Sequence, residues 1–202
     1  ILSGSEGRIA ETGGVWRVRH GGPAAPVRSF TAGDLSISDP RSFDPIKGLE
    51  STYNAVVSRY IDPESLWQPR GTDILRNAAW EAEDDGQLLT LNLDMESVFS
   101  RDQANQVQAA LVTDNRRHRE VGMVLPPDAL DLEPLDDVTL SHESWGFTDK
   151  DFEVGTTVFR LMSGMVEVGL RERDPADFSP DLTLEQGPLP AYSSLPDQDD
   201  TV

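Results

Sequence analysis

The fold is decided by the stretch Tyr53-Asn54-Ala55-Val56-Val57-Ser58-Arg59-Tyr60-Ile61. It is dense in β-branched and aromatic residues, which fit the pleated, half-buried surface of a strand. Asp62-Pro63-Glu64 ends the stretch, because proline has no N–H to donate to a neighbouring strand. We therefore predict a strand over Tyr53–Ile61, followed by a surface excursion over residues 64–77 that contains Trp67.

The sequence before this strand predicts a β-hairpin. Arg8–Thr12 and Val15–Arg19 flank Gly13-Gly14, and two glycines between β-type runs are a hairpin signal. Side chains alternate along a strand, so Trp16 and Val18 share one face, and we expect Trp16 to lie in the core. A short strand running into a turn is expected at residues 30–35, and a loop rich in Ser, Asp, Pro and Gly at residues 36–50.

A second hairpin is predicted after residue 77. Ala79–Ala82 and Leu88–Leu93 flank Asp84-Asp85-Gly86-Gln87, in which Asp-Gly is a turn signal. Leucines at positions 89, 91 and 93 alternate with polar residues, which is the period of a half-buried strand. Trp80 is expected in the core.

One helix is predicted, at about Ser100–His118. Ser100 and Gln103 fit a capping box, and apolar residues then recur at a spacing of three to four. We expect Ala104, Val107 and Leu111 to face the β core. Arginines at 116, 117 and 119 gather at the far end, where cations interact favourably with the helix dipole.

Short strands dominate the remainder. Runs at 121–125, 138–141, 152–154, 157–162 and 166–171 are separated by turn residues. The predicted fold class is therefore α+β, mainly antiparallel β with one principal helix near residues 100–118. We expect a module over residues 1–173 and an acidic, Pro-containing strap or linker over 174–202 that packs on another part of a parent protein. Because the chain opens on Ile1, it is expected to be a fragment of a longer polypeptide.

Charge excludes several kinds of partner. The net charge is −19, yet residues 1–76 hold nine acids and nine bases, so all of the excess lies in 77–202. Such a surface repels phosphates, which argues against tight nucleic-acid binding and against docking on anionic membranes. Solubility is the plainer explanation of the acids. No run approaches the ~20 apolar residues that span a bilayer, and the absence of cysteine excludes disulfides and thiolate zinc sites.

Signals for catalysis and for metal binding are weak. Ser141, His142, Glu143 and Ser144 could supply a triad, but no nucleophile elbow occurs and adjacent residues of a strand point to opposite faces. The acidic groups at 83–85 and 136–137 could bind Ca²⁺, but a solvated turn is the commoner role of such residues. We expect no catalytic residue, cofactor or metal. The four tryptophans could form a sugar-binding platform or serve as core and interface anchors.

Six motifs resemble, in order, the central tail-hub (host-specificity, or tail-tip attachment) proteins of lambda-like siphophages and gene transfer agents. Residues 53–64 resemble that family's Y-N-x-V-x-x-x-Y/F-x-D-P-E strand. Residues 7–18 resemble its G-x-(I/L)-x-E-x-G-G-x-W-R-V hairpin and residues 29–35 its S-(F/L)-T-x-x-D-L step. The other three are an S-x-x-Q-A helix at 100–104, a strand entry at 132–140 and an F-R-V strand at 152–154. Leu135 departs from the pattern, because the family usually has a turn glycine there.

The resemblance implies a barrel-like hub domain in a phage-type tail tip or baseplate. A hub of this kind is a homotrimeric ring that joins the tail tube to the receptor-binding apparatus, contacts other tail-tip and tail-tube proteins, and lets DNA exit without specific binding. It is a virion protein of the tail tip, assembled in the host cytoplasm, without membrane insertion by this segment. Trp67, Trp145 and Tyr60 are the interface candidates. A carbohydrate- or receptor-binding module of a tail fibre or tip is the alternative, and a hydrolase is a distant third.

Overall fold

A computed structural model describes residues 4, 6–36 and 38–178. The predicted strand is present as β5 (Ala55–Asp62), with a proline-led turn directly after it. It lies at the centre of a four-stranded sheet. β6 (Gln68–Gly71) and β7 (Leu75–Arg76) pair with it antiparallel, and β8 (Thr90–Met95) pairs with it in parallel.

A second sheet contains six strands in the order β3-β10-β11-β12-β9-β4. Its members are β3 (Arg28–Thr31), β4 (Ser42–Asp44), β9 (Glu120–Leu125), β10 (Asp137–His142), β11 (Phe147–Arg160) and β12 (Met165–Glu172). All neighbours are antiparallel except β3 and β10. The predicted α+β class, mostly antiparallel, is confirmed. The barrel-like closure is wrong, because β3 and β4 are the two edges of an open sheet.

Each sheet has its own hydrophobic core. The six-stranded sheet buries fifteen residues, with Phe152, Leu140 and Leu125 fully enclosed. The smaller core lies between β5, β8 and helix α2 (Arg101–Asn115), and contains Tyr60, Met95, Val98, Ala104 and Val107. The two cores share no residue.

Most of what was predicted for the helix near residues 100–118 is confirmed in helix α2. Ser100 caps it by accepting a hydrogen bond from the Gln103 amide at 3.5 Å, while the Gln103 side chain donates to the Gly4 carbonyl instead of closing the box. Ala104 and Val107 are buried in the smaller core, and Leu111 packs against its edge. The helix ends at Asn115, three residues earlier than predicted.

The second predicted hairpin is wrong. Residues 78–83 form a short helix, α1 (Ala78–Glu83), because the Asn77 side chain accepts hydrogen bonds from the Ala79 and Trp80 amides. The Asp-Gly turn ends this helix: Gly86 has φ +74° and its amide bonds the Glu81 carbonyl at 2.7 Å. β8 then pairs in parallel with β5, and its leucines at 91 and 93 are half-buried, as the alternation predicted.

Segments predicted as loops contribute edge strands. The loop at 36–50 contains β4, and the excursion at 64–77 contains β6 and β7. The two runs predicted at 152–154 and 157–162 belong to one strand, β11, which is interrupted only by a bulge between Val154 and Thr156. These strands are too short or too irregular for a period-two pattern to show them.

The first hairpin is confirmed in register, but its orientation is not as expected. β1 (Arg8–Thr12) and β2 (Val15–Arg19) pair antiparallel around Gly13-Gly14. Trp16 is 67% exposed and belongs to neither core, so its prediction as a core residue is wrong. Trp80 is also outside both cores: it is half-buried, with the Arg116 guanidinium 5.5 Å from its ring centre.

The boundary at residue 173 is not a break in packing. Residues Pro175–Phe178 form a single 3-10 turn that lies on the module, with Asp177 buried against Arg117. The remainder of the predicted strap, 179–202, lies outside the described residues.

Leu135 has a backbone conformation that is more usual for glycine. Its φ is +74°, in the left-handed region that favours glycine, and its amide bonds the Val154 carbonyl at 2.8 Å. An L-residue pays about 1–2 kcal/mol in this region. The turn into β10 is therefore stabilised by its hydrogen bond to the sheet and not by the intrinsic backbone preference of leucine.

We expect Leu135→Gly to leave the free energy of unfolding unchanged or to raise it, because relief of the left-handed strain offsets glycine's greater freedom in the unfolded chain. Leu135→Val should lower it, since β-branched residues are the worst at positive φ. Leu130→Gly is the control, because Leu130 lies in a right-handed 3-10 turn. Thermal melts that show equal losses for Leu135→Gly and Leu130→Gly would contradict this account.

Candidate interaction site

The last turn of helix α2 contains a buried acid, Asp114, that does not stabilise the helix itself. Asp114 is 5% exposed and lies in the last turn, where a negative charge opposes the helix dipole. It forms ion pairs with three arginines that lie outside the helix: Arg8 at 3.2 Å, Arg173 at 3.3 Å, and Arg171. Asp114 therefore joins the helix to the hairpin and to the end of the six-stranded sheet.

Arg173 is the most deeply buried member of this cluster. It is 1% exposed, and its side chain approaches Asp114 and Glu153 while donating to the Gly21 carbonyl at 3.3 Å. The ring centre of Phe178 lies 4.6 Å from its guanidinium carbon, within cation–π range. Because Arg173 lies just after β12, its side chain contacts the six-stranded sheet, the segment after the hairpin and the last described turn at the same time.

A second acid repeats the arrangement nearby. Glu172 is 2% exposed and pairs with Lys150 at 2.6 Å, Arg119 at 3.1 Å and Arg117 at 4.0 Å. Arg117 also pairs with Asp177, whose hydrogen bonds raise the pKa of the Arg117 guanidinium. We call the whole set the ionic joint, and its members are Arg8, Asp114, Arg117, Arg119, Lys150, Glu153, Arg171, Glu172, Arg173, Asp174 and Asp177.

Glu6 borders the ionic joint, and among the described residues it forms no ion pair. Its Oε1 atom is buried and has no hydrogen-bond partner among the described residues. Burial, together with repulsion by Asp114, raises the pKa of Glu6 to about 7, although Arg8 opposes the shift. Glu6 shares a cavity of about 200 Å³ with Leu93, Leu111 and Phe178. Near neutral pH this carboxyl group therefore gains and loses a proton beside the joint.

The three predicted interface residues lie in different surroundings. Tyr60 is 6% exposed in the smaller core, so it offers almost no surface, and its role at an interface stays a prediction. Trp145 is half-buried: its ring stacks on His142 at 3.9 Å and on Phe43 at 5.4 Å, and it packs against the larger core. Trp67 alone projects, at 61% exposure.

Trp67 belongs to an exposed turn held in a strained conformation. Leu66 and Trp67 both have positive φ, at 55° and 60°, and the Trp67 ring meets Phe99 edge-on at 5.5 Å. Asp62 fixes the turn by accepting from Ser65 at 2.6 Å, from the Glu64 amide and from Arg70, and these hydrogen bonds lower the pKa of Asp62. No ring contact joins Trp67 to Trp145 in the part of the chain that the structure describes.

The imagined triad does not assemble. The Ser141 hydroxyl donates to Asp149 at 2.9 Å, whereas the neighbouring His142 ring stacks on Trp145 on the other face of the strand. Glu143 and Ser144 are exposed in the turn that follows. Acids from both groups considered for Ca²⁺ form ion pairs with arginines instead. Glu83 and Asp84 pair with Arg116, and Asp136 pairs with Arg17.

The acid-rich segment 120–149 is largely neutralised by bases from the first 76 residues. Six of its eight acids form ion pairs with Arg17, Arg19, Arg28 or Lys47. The uneven charge along the sequence is therefore not an equally uneven charge on the surface. Sequence reasoning missed these pairs and the ionic joint because their partners lie in different elements, between 20 and 145 residues apart in the sequence.

This arrangement of two sheets, a ribbon and one main helix is similar to that of several solved structures. The structure matches a chain from the virion of a native gene transfer agent particle with a TM-score of 0.68 and 15% identity, over 89% of this chain and 39% of that chain. It matches the tail protein from Neisseria meningitidis MC58 with a TM-score of 0.50 and 12% identity, over 81% and 50%. The prophage MuSo2 43 kDa tail protein from Shewanella oneidensis gives 0.51 and 12%, over 85% and 52%.

These likenesses show the fold, and the sequence itself gives the family. Residues 1–162 match the family described as putative phage tail protein, and the chain belongs to that family. It spans about half or less of the length of the solved chains that it resembles. No curated protein matches the sequence. No helix in the described part of the chain has the length and apolar character to span a membrane.

We expect Glu6→Gln to stabilise the protein only at higher pH. A raised folded-state pKa means that the charged form is penalised, so wild-type stability falls as the pH rises from the ordinary value of 4.5 through about 7. The shift corresponds to about 3 kcal/mol for a fully buried group, and partial exposure reduces this to about 1–2 kcal/mol.

The measurement is urea unfolding of both proteins at pH 5 and pH 8. Glu96→Gln, at an exposed position, is the matched control. The gain for Glu6→Gln should be larger at pH 8 than at pH 5. An equal gain at both values would mean that the Glu6 carboxyl group is not penalised by burial.

Proposed function

We propose that this chain is a structural module of a tail-tip hub. In this role it forms part of a ring that joins the tail tube to the receptor-binding apparatus and lets the genome leave. The observation that carries the proposal is the combination of family membership over residues 1–162 with six hub-like motifs in the expected order. The likeness to a chain of a gene transfer agent virion supports the same role.

The turn at Leu135 adds support from geometry. The hub motif has a glycine at this position, and the leucine here adopts the positive φ that such a glycine would allow. The ionic joint suits a load-bearing part, because it ties the helix, the hairpin and the sheet together at one place. Fixing these elements relative to one another is what a rigid ring requires of each of its modules.

The acidic net charge of the chain affects how DNA would move through the channel of the proposed ring. A wall that repels phosphates would let DNA slide without binding. The segment 120–149 is a weak candidate for such a wall, since six of its eight acids form ion pairs. Only unpaired acids within the ~8 Å screening length of the channel would act on DNA. We therefore propose passage without specific binding, and assign no single segment to the channel wall.

The test is to locate the chain in intact particles. Gold-labelled antibody against this module should bind at the tail tip, and mass determination of isolated tips should give a copy number that is a multiple of three, as the hub resemblance implies. Label along the tube or on the head, or a copy number that is not a multiple of three, would contradict the proposal.

A carbohydrate- or receptor-binding module is the second candidate, and the exposed Trp67 turn favours it. Exposed aromatic residues held in strained loops often belong to binding surfaces. A glycan array on the purified chain separates the two functions: binding that Trp67→Ala abolishes would favour the second. We propose no catalysis for this chain, and reproducible turnover of a cell-wall substrate, lost on substitution of His142, would overturn that.

A further inference from the structure

Three residues that lead into the β1–β2 hairpin, Glu6-Gly7-Arg8, run from helix α2 to the six-stranded sheet. Gly4, two residues earlier, is buried, and its carbonyl accepts a hydrogen bond from the Gln103 side chain of α2 at 2.9 Å. Arg8, at the other end, forms an ion pair with Glu153 of β11. We call Glu6-Gly7-Arg8 the strap, because the contacts on its two sides fix it to different elements.

Glu6 lies between these two contacts in an unfavourable position. Its φ is 50°, in the left-handed region that few residues other than glycine adopt. Its Oε1 atom is buried and has no hydrogen-bond partner among the described residues. A buried polar atom without a partner carries a free-energy cost, so the backbone and the side chain of Glu6 both favour leaving this position. The contacts of the neighbouring residues therefore keep the strap closed.

The strap lies over a cavity of about 200 Å³. Glu6 lines it together with Leu93 of β8, Leu111 of α2 and Phe178 of the last described turn. These three side chains are apolar. Taking a charge out of water costs much more than taking out a neutral polar group, so apolar walls accept a neutral carboxyl group far better than a carboxylate. The cavity therefore distinguishes the two protonation states of Glu6.

Two other charged groups line the same cavity. From α2, Asp114 repels the Glu6 carboxylate, and from β1, Arg8 attracts it. Arg8 already pairs with Asp114 at 3.2 Å and with Glu153, so its attraction for Glu6 is shared among three acids. Repulsion by Asp114 therefore adds to the cost of burying a charge on Glu6.

The other elements beside the cavity bring no further base to its wall. β8 and the last described turn contribute only Leu93 and Phe178 to it. Of the two acids that line the cavity, Glu6 and Asp114, only Asp114 has ion pairs among the described residues. Other charged groups nearby are paired with one another: Arg171 and Arg173 with Asp114, and Arg117 with Asp177.

We propose that the strap is a proton-controlled closure, which covers the cavity while the Glu6 carboxyl group is neutral and lifts from helix α2 when that group is charged. Lifting brings the carboxylate into water, takes it away from Asp114 and releases the left-handed φ. Arg8 keeps its pair with Glu153, so the hairpin stays on the six-stranded sheet and the opening is local. The strap belongs to the fold of this chain and operates whether or not the chain serves in a hub.

The direction of the pH response follows from the surroundings of this carboxyl group. Burial and repulsion by Asp114 raise the pKa of Glu6 to about 7 in the closed position, whereas in water it returns to its ordinary 4.5. Closure is therefore fully favoured below pH 4.5, and this advantage is lost as the pH rises through about 7. At pH 8 the strap should be open in a larger fraction of otherwise folded molecules than at pH 5.

Thiol labelling tests the strap, and the chain is suited to it because it contains no cysteine. Leu111→Cys places a thiol in the wall of the cavity, and its reaction rate with a dipyridyl disulfide reports how often the strap is open. The rate is measured at pH 5 and at pH 8, both with Glu6 present and with Glu6→Gln added. The ratio of the two rates removes the pH dependence of the thiol itself.

This ratio, with Glu6 present over Glu6→Gln, should rise by about ten-fold or more from pH 5 to pH 8. The charge of Glu6 acting directly on the thiol cannot produce the rise. A neighbouring negative charge disfavours the thiolate, which is the reactive form, and would slow the labelling. Leu93→Cys, in the wall formed by β8, should show the same rise.

Val138→Cys separates lifting of the strap from unfolding of the protein, because Val138 is fully buried in the larger core. Urea below the unfolding transition should speed the labelling of Val138→Cys but hardly that of Leu111→Cys, since lifting the strap exposes little surface. A ratio that does not change with pH would overturn the proposal. So would labelling of Leu111→Cys that rises with urea as steeply as that of Val138→Cys, because Glu6 would then act only through global unfolding.

Discussion

The rest of the structure depends on the ion pairs that Asp114 makes with Arg8, Arg171 and Arg173. The two hydrophobic cores share no residue, and these ion pairs connect helix α2, which packs on the smaller core, to β12 of the six-stranded sheet. Buried charges are costly to desolvate and are tolerated only when they are well paired. Such a joint adds little net stability, but any arrangement that leaves one of its charges unpaired is strongly disfavoured. The ionic joint therefore fixes geometry more than it adds stability.

The need to pair buried acids also explains why the β1–β2 hairpin turns its arginines toward the module and its apolar residues outward. A two-stranded ribbon is marginal alone, so it needs a surface to lie on. The surface available to β1–β2 is lined with Glu153, Asp136 and Asp137, and arginines on the inner face match it. The apolar residues of the ribbon then face outward by the alternation of strand side chains. Ile9, Trp16 and Val18 are therefore exposed.

The sequence predicted those elements that are determined by neighbouring residues along the chain. Density of β-branched residues located β5, Gly13-Gly14 set the register of the first hairpin, and Ser100 marked the start of α2. It could not predict which face of that hairpin turns inward, because alternation separates two faces without orienting them. Helix α1 was missed because the Asn77 cap and the Gly86 stop hold a segment only six residues long. The ionic joint was not predicted because its partners are far apart in sequence, as Arg8 and Glu153 are at 145 residues. The burial of Tyr60 was not predicted either, because it depends on tertiary packing of β5 against β8 and helix α2.

The central claim is that the ionic joint makes the two cores open together, and native-state hydrogen exchange on Asp114→Asn tests it most directly. In the wild type, amides of α2 and of β12 should exchange with similar opening free energies. In the variant, the opening free energy of α2 should fall by about 3–5 kcal/mol relative to that of β12, because the buried arginines lose their partner. Loss of a negative charge at the helix C-terminus would alone favour α2, so its weakening could come only from the joint. Equal protection of both elements in the variant, or unequal protection already in the wild type, would contradict the account.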